Sequence, residues 1–335
     1  MSERGEILDA IERLAAAHQP MALATIVATR GSTYRRPGAR LLVPATGEPV
    51  GNISGGCLEG DVARIGREVI ASGQPRLAEF DLTADDDAVW GYGLGCNGAI
   101  EVFVEPAEGA VATAAALRQE GTCWVTVLTG DAAGLHRMQT DGAAAAALRD
   151  GNSRVVYEHG ERLLYEPLLP PMRLVVCSAG HDAIPLVRQA AELGWRVTVA
   201  DVRQALLTHE RFPAAAVFVD ADPERAAGAV TPDGRTAVMV MSHNYLRDVA
   251  YLRSFLDVPL AYLGVLGPRG RTEQMLAELD RPEAIDRLHS PAGLDIGAEG
   301  PEEVARAIVA EILAVTRRRP GGPLRDRSGP IHEPA

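Results

Sequence analysis

The sequence contains no lysine, because all 33 of its Lys and Arg positions are arginine. A chain without lysine cannot form a Schiff base through a lysine amine or place a Walker-type lysine on a nucleotide phosphate. Guanidinium groups are its only permanently charged side chains for binding anions. The four cysteines include no CxxC pair and no short Cys/His cluster, which argues against a zinc site and a disulfide framework.

Net positive charge and long apolar runs are missing as well. The formal net charge of -12 argues against a nucleic-acid-binding surface. No run approaches the roughly twenty apolar residues that span a bilayer, and Met1–Glu6 lacks the apolar core of a signal peptide. We therefore expect a cytoplasmic protein that binds neither nucleic acid nor membranes. Its 335 residues predict about two domains.

The apolar pattern predicts an α/β protein with two domains of different kinds. Residues 1–166 are expected to form an α+β domain with a mixed sheet, ending in a polar hairpin-like region up to about Tyr165. Pro167, Pro170 and Pro171 predict a linker. In residues 172–316, five short apolar runs alternate with helical segments, which predicts a Rossmann-like domain with a mostly parallel sheet. The tail, 317–335, is rich in Arg, Pro and Gly and is predicted to be disordered.

Two cysteines lie in glycine-rich segments. Cys57 follows Ser54-Gly55-Gly56 and is predicted to open an amphipathic helix, where unpaired amides and the helix dipole would favour the thiolate. Cys96 lies in a second such loop. Both indicate soft-ligand or sulfur chemistry, although Cys57 could equally be a small, half-buried residue at a helix start. Cys123 and Cys177 border apolar strands and are expected to be inert core residues.

A dinucleotide-type motif follows the first strand of the second domain. The segment Ser178–Ala183, which contains Gly180 and His181, is similar to the glycine motif that places a pyrophosphate at a helix N-terminus. About twenty residues later, Asp201 ends the next strand, where an acidic residue usually binds a ribose hydroxyl. Arg203 could accept a 2′-phosphate, so NAD and NADP both remain open. The alternative is a Rossmann-like domain that has lost its ligand.

Two further loops follow strands of this domain. His243 comes after the fourth strand and could be a proton donor, a metal ligand or an ordinary loop histidine. The loop after the fifth strand carries Gly264, Gly267, Arg269 and Arg271, which predict an anion site at a helix start. Solvated arginines in an ordinary loop are the alternative interpretation of the second loop.

Several ordered segments resemble the XdhC/CoxI family, from about residue 8 to about residue 316. These are Gly31–Ala39, Ser54–Glu59, Gly180-His181, Ser242-His243, Tyr262–Gly267, His289–Gly297 and Glu302–Ala305. Membership implies an accessory factor for molybdenum hydroxylases such as xanthine dehydrogenase or carbon monoxide dehydrogenase. Such a factor resembles a chaperone that binds molybdenum cofactor, supports its sulfuration and hands it to the apo-enzyme. The resemblance also implies a homodimer and a cysteine desulfurase as a partner.

The resemblance implies roles for the residues singled out above. Cys57 would coordinate molybdenum or carry sulfur, and Cys96 and His243 would take part in the chemistry. A phosphate of molybdopterin would be held by arginines, namely Arg35, Arg36, Arg269 and Arg271. The Rossmann-like half would bind the nucleotide part of a dinucleotide form of the cofactor, or a separate NAD or NADP. Cys57 and Cys96 are expected to share one surface, facing the cleft between the domains.

Two other functions stay open on the sequence alone. One is an NAD(P)-dependent oxidoreductase, with His243 as the acid–base group and Cys57 close to the substrate. The other is a nucleotide-sensing regulatory protein whose second domain binds the ligand and whose first domain binds a partner.

Overall fold

The computed structural model describes residues 3–31, 33–81 and 98–328. The chain divides into two units, Met1–Pro170 with Arg327–Ala335, and Pro171–Asp326. Within the described stretches, no helix is long and apolar enough to cross a membrane. Of the tail that was predicted to be disordered, residues 317–328 form a turn and a short 3-10 helix, Leu324–Asp326.

The first unit is an α+β structure. Its elements in chain order are α1 (Glu3–Ala16), β1 (Met21–Gly31), β2 (Arg40–Pro44), β3 (Val50–Gly51), α2 (Glu59–Ser72), β4 (Arg76–Asp81), β5 (Gly98–Pro106), α3 (Ala107–Ala116), β6 (Thr122–Val127), β7 (His136–Gln139), α4 (Gly142–Asp150), β8 (Arg154–Glu158) and β9 (Glu161–Leu168). α2 packs on one face of the β1 sheet and α1 and α3 on the other, which explains why the first seven residues of β1 are all buried.

The strands of the first unit form two antiparallel sheets, where the sequence predicted one mixed sheet. Their strand orders are β3-β2-β1-β5-β4 and β7-β6-β9-β8, and every pairing among the described strands of both is antiparallel. The predicted hairpin is present as β8 and β9. His159 and Gly160 both have positive φ there, as the favoured two-residue turn requires.

Helix α4 and strand β9 correct the predicted course of the chain before residue 170. α4 lies where only a hairpin-like region was expected; its alanine run favours a helix, and Gly151 ends it with φ of 71°.

β9 continues through Pro167, which the sequence placed in a linker. Pro167 pairs only with Cys123, because β8 leaves β9 at Tyr165, and the open edge tolerates a missing N–H.

The second unit has the predicted alternation of strands and helices. Its elements in chain order are β10 (Arg173–Cys177), α5 (Ala183–Glu192), β11 (Arg196–Ala200), β12 (Val217–Val219), α6 (Ala226–Val230), β13 (Thr236–Val240), α7 (Tyr245–Phe255), β14 (Tyr262–Val265), α8 (Arg269–Glu278) and α9 (Pro301–Thr316).

The five strands of this unit form one parallel sheet in the order β12-β11-β10-β13-β14, which confirms the predicted Rossmann-like architecture. Two apolar clusters cover its two faces, one with α5 and α9 and the other with α7 and α8. β11 and β13 lie on opposite sides of β10, so the chain reverses its direction of winding at β10. Ligands of such sheets bind at this switch point, beyond the carboxyl ends of the strands.

The segment that begins at His289 is fixed to the edge of this sheet. His289 forms a parallel bridge with Gly264 of β14 and stacks on the Tyr262 ring at 4.3 Å. The Tyr262 hydroxyl and the Gly293 amide donate to the Glu311 carboxylate of α9 at 2.6 and 2.8 Å. Burial favours a raised pKa of Glu311, but bonds from His289 and Tyr262 lower it. The segment is therefore held in place by its own contacts with β14 and α9.

Candidate functional site

Cys57 lies in a turn that is organised around the carboxylate of Glu59. The amides of Ile53, Ser54 and Gly56 donate to this carboxylate at N–O distances of 3.1, 2.9 and 2.9 Å. The Ser54 hydroxyl donates to it as well. We call these three amides and one hydroxyl the amide cradle. The group that they bind is the Glu59 side chain, which belongs to the same segment of the chain.

The sequence predicted that Cys57 opens a helix and faces unpaired amides, and the amide cradle shows different surroundings. α2 begins at Glu59, two residues after the cysteine, and the Leu58 amide donates to the Ser54 hydroxyl oxygen at 2.8 Å. Four of the amides around Cys57, those of Ile53, Ser54, Gly56 and Leu58, are therefore paired within the turn. A full carboxylate charge attracts such donors more strongly than a thiol does. The Cys57 Sγ lies 3.7 Å from the carbonyl oxygen of Ser54 and is part-exposed.

The Glu59 carboxylate is ionised at neutral pH. Burial alone would raise its pKa, but the hydrogen bonds from the Ser54 hydroxyl, the Ser54 amide and the Ile53 amide outweigh burial and lower the pKa below the ordinary value of 4.5. Its charge therefore stabilises the turn at pH values above 4.5. This contribution disappears as the pH falls through the lowered pKa of the folded state.

We expect Glu59→Gln to loosen the turn, because a glutamine lacks the charge and can accept through one oxygen only. Amide hydrogen exchange at Ile53, Ser54 and Gly56 should become roughly tenfold faster or more, which corresponds to losing one charged hydrogen bond. In the unaltered protein the same amides should lose protection in acid, and the variant should show no such step. Glu68→Gln, an exposed position of α2, is the matched control.

The loop of Arg35 and Arg36 meets the Cys57 turn at one point. The Tyr34 ring lies against Gly55, where an added Cβ would be 3.5 Å from the ring. The Arg35 guanidinium is bound by Glu3 at 2.7 Å, and Arg36 is exposed. The structure thus brings together two of the motif segments, Gly31–Ala39 and Ser54–Glu59. Within the first of them, Arg35 is already paired with a carboxylate. Cys96 lies outside the described residues.

The other two described cysteines are core residues, as predicted. Cys123 and Cys177 are fully buried. Burial raises the pKa of Cys123 to about 12 and the pKa of Cys177 well above its ordinary value. Both thiols are therefore protonated at neutral pH, and Cys57 is the accessible thiol among the three.

In the second unit, the loop after β10 is bound by its own chain. The Ser178 hydroxyl accepts from the Gly180 amide at 2.9 Å, and Asp201 accepts from the Ala179 amide at 2.6 Å. Asp201 also forms a bidentate ion pair with Arg203, with N–O distances of 2.9 and 2.6 Å. Burial alone would raise the Asp201 pKa, but the Arg203 and Ala179 hydrogen bonds lower it, so the carboxylate is charged.

His243 reaches the switch point predicted from the sheet order. Its Nε2 lies 2.8 Å from the Asp182 carboxylate, which belongs to the loop after β10. The His243 backbone has φ of 56°, a left-handed conformation that costs energy for a residue with a side chain. The two loops that flank the switch point are therefore joined by a histidine–carboxylate pair, and the His243 side chain is 58% exposed.

A second carboxylate ties the His243 loop to the loop after β14. Asp248 of α7 is fully buried and accepts from the Ser242 hydroxyl at 2.6 Å and from Arg271 at 2.7 Å. The Arg271 guanidinium also lies over the Tyr245 ring, 5.7 Å from its centre. Arg271 therefore has a fixed position close to the switch point.

The remaining predicted residues of this loop have other surroundings. Arg269 pairs with Glu273 one turn along α8 and is exposed. Gly264 lies within β14, where an added Cβ would be 2.5 Å from the Tyr262 ring, so its lack of a side chain makes room for that ring. Gly267 has φ of 137°, which favours glycine. His181 is exposed beside the Asp182–His243 pair in sequence.

Comparisons with known proteins identify the family of the chain. The model of the XdhC Rossmann domain matches residues 174–312, and that of the XdhC and CoxI family matches residues 14–81. A Bacillus subtilis protein described as a probable xanthine dehydrogenase component is 31% identical over 314 residues, which cover 88% of this chain and 93% of that protein. The chain belongs to the XdhC/CoxI family. The resemblance seen in the sequence motifs is thereby confirmed.

Two further proteins match over most of this chain. The molybdenum cofactor insertion chaperone PaoD of Escherichia coli is 25% identical over 299 residues, covering 88% of this chain and 82% of PaoD. A crystal structure described as a xanthine dehydrogenase from Bacillus halodurans superposes with a TM-score of 0.75 at 29% identity, covering 94% of this chain and 96% of that one.

Proposed function

We propose that this XdhC/CoxI protein is an accessory factor that binds molybdenum cofactor as cargo for a molybdenum hydroxylase of the xanthine dehydrogenase type. It supports sulfuration of the cofactor and its insertion into the apo-enzyme. The observation that carries the proposal is the part-exposed Cys57 thiol on a turn prearranged by Glu59. A thiolate is a soft ligand suited to a thiophilic metal.

The relatives support the choice of client and cargo. The Bacillus subtilis relative is named as a component of a xanthine dehydrogenase, and PaoD is named as a molybdenum cofactor insertion chaperone. A protein that carries cofactor to such an enzyme accounts for both names. As further parts of the proposal, a cysteine desulfurase supplies the sulfur and the accessory factor acts as a homodimer.

The two units supply different groups to this function. In the first, Cys57 binds the metal or carries sulfur, assisted by Cys96, and Arg36 binds the cofactor phosphate. Arg35, which binds Glu3 in this structure, is the second arginine proposed for the phosphate. The second unit binds a dinucleotide at the switch point of its sheet. The residues proposed for this are Gly180 and His181 after β10 and Arg271 at the start of α8.

The experiment is elemental and pterin analysis of the protein isolated from its own host. We expect molybdenum and molybdopterin to co-purify in about equal amounts, and transfer of this material to activate an apo-hydroxylase. A protein that carries neither in a host that makes an active hydroxylase would overturn the proposal.

A second candidate function is favoured by the Asp182–His243 pair. A carboxylate on Nε2 fixes the orientation of the imidazole, the arrangement that a general acid–base group needs. This candidate is an NAD(P)-dependent oxidoreductase. Turnover-dependent change of the nicotinamide absorbance would support it, and loss of that change in His243→Ala would assign the group.

A further inference from the structure

We propose that the second unit selects a dinucleotide with a phosphate on its adenosine ribose, as in NADP(H), and that Arg203 binds this phosphate. The inference rests on the dinucleotide binding proposed above and names the ligand class. It thereby favours NADP(H) over NAD(H) and over a pterin dinucleotide, neither of which carries that phosphate.

The first step concerns Asp201, the residue that would ordinarily bind the ribose hydroxyls. A carboxylate has about four lone-pair positions. Oδ1 accepts from the amide and the Nε of Arg203, both at 2.9 Å, and Oδ2 accepts from the Ala179 amide and the Arg203 Nη2, both at 2.6 Å. All four positions are used within the protein. Asp201 is also only 2% exposed, so no acceptor is left for a ribose hydroxyl.

The second step concerns the donors that remain on Arg203. A guanidinium has five N–H donors, and the ion pair with Asp201 uses two of them. The three others lie on the far side of a planar group whose orientation Asp201 fixes. The side chain is 38% exposed, so a ligand can reach it. A fixed guanidinium edge with free N–H donors matches the bidentate geometry of a phosphate.

The third step concerns the position of Arg203. Asp201 directly follows β11, the strand whose carboxyl end approaches the adenosine ribose in sheets of this order. Through Asp201, Arg203 is connected to the Ala179 amide of the loop after β10. A second guanidinium, Arg211, donates to the Ala179 carbonyl oxygen at 3.3 Å. Two guanidinium groups are therefore connected to this loop, Arg211 directly and Arg203 through Asp201, and guanidinium N–H donors favour a phosphate over a diol.

The test is isothermal calorimetry on the full chain with NADPH and NADH. We expect NADPH to bind roughly tenfold more tightly or better, the ratio that corresponds to one charged hydrogen bond. Arg203→Ala should reduce this ratio to about one, mainly by weakening NADPH. Arg253→Ala, a surface arginine of the same unit that pairs with exposed Glu224, should leave the ratio unchanged.

A comparison without any substitution covers the case in which Arg203→Ala fails to fold. Adenosine 2′-monophosphate should bind the unaltered protein more tightly than adenosine 5′-monophosphate. Equal or tighter binding of NADH overturns the selection of a ribose phosphate while leaving dinucleotide binding in place. Binding of neither dinucleotide overturns both, and retained molybdenum cofactor would then show that the cargo function stands without it.

Discussion

Replacing Cys57 with alanine should abolish cofactor retention and leave the fold intact. The side chain is part-exposed at the edge of the apolar cluster around α2, and alanine keeps its Cβ, so the change removes only the sulfur and its weak contact with the Ser54 carbonyl. A metal–thiolate bond, in contrast, has no substitute in a methyl group. We expect the molybdenum content of the variant, and its activation of the client enzyme, to fall at least about tenfold, the effect of losing a single ligand.

Two further cysteine variants distinguish loss of the sulfur ligand from loss of side-chain volume as the cause of a lower molybdenum content. Cys57→Ser keeps the size and a polar group, and it should be as inactive as Cys57→Ala if sulfur is the ligand. Cys123→Ala removes a buried thiol and should lower stability while leaving the molybdenum content per folded molecule unchanged. Rapid alkylation of Cys57, with Cys123 and Cys177 reacting only on unfolding, is expected in the same samples. Normal maturation of the client by Cys57→Ala would contradict this assignment.

Removing the Glu166 carboxylate should destabilise the first unit by about 3–5 kcal/mol, as is usual when one member of a buried ion pair is lost. Glu166 of β9 binds Arg40 of β2 through both oxygens, and both side chains are nearly buried. The pair joins the two antiparallel sheets, and Arg40 also donates to the Gly38 carbonyl at 2.9 Å. Glu166→Ala would leave a guanidinium buried without a counter-charge.

Denaturant unfolding curves measure this effect as a free energy. Glu68→Ala, which breaks exposed ion pairs with Arg64 and Arg76, is the matched control and should cost less than about 1 kcal/mol. The double change Arg40→Met with Glu166→Leu should restore most of the stability, because it removes both charges together. A single Glu166→Ala variant as stable as the control would show that Arg40 is solvated in the folded protein.

The architecture of the second unit could be predicted from the sequence because each signal there is local. Continuous apolar strands such as Arg173–Cys177 and Arg196–Ala200 have no solvent face and therefore require helices on both sides. In the first unit the central pairings join strands that are distant in sequence, β1 with β5 and β6 with β9, so one sheet could not be distinguished from two. Helix α4 was missed because its turn-forming surroundings outweighed a strong alanine signal.

The sequence identified candidate residues of the site, whose chemistry stays a prediction, but it did not identify the side chains that hold them in place. Cys57, His243 and Arg271 could be found from their loops. Their positions depend on carboxylates that the sequence did not single out, Glu59 and Asp248 in particular. Both belong to the first two turns of a helix that follows the loop, a place where acidic residues are common, so the pattern does not distinguish them.

A carrier has to release what it binds, and the amide cradle affects that step. With Glu59 in place, the turn beside Cys57 keeps its hydrogen bonds when no cargo is present. A cofactor bound there as proposed would not have to supply the free energy of ordering the turn, and its departure would leave the amides of Ile53, Ser54 and Gly56 with their acceptor. On the proposed function, neither loading nor hand-over of the cofactor at Cys57 would require this turn to fold or unfold.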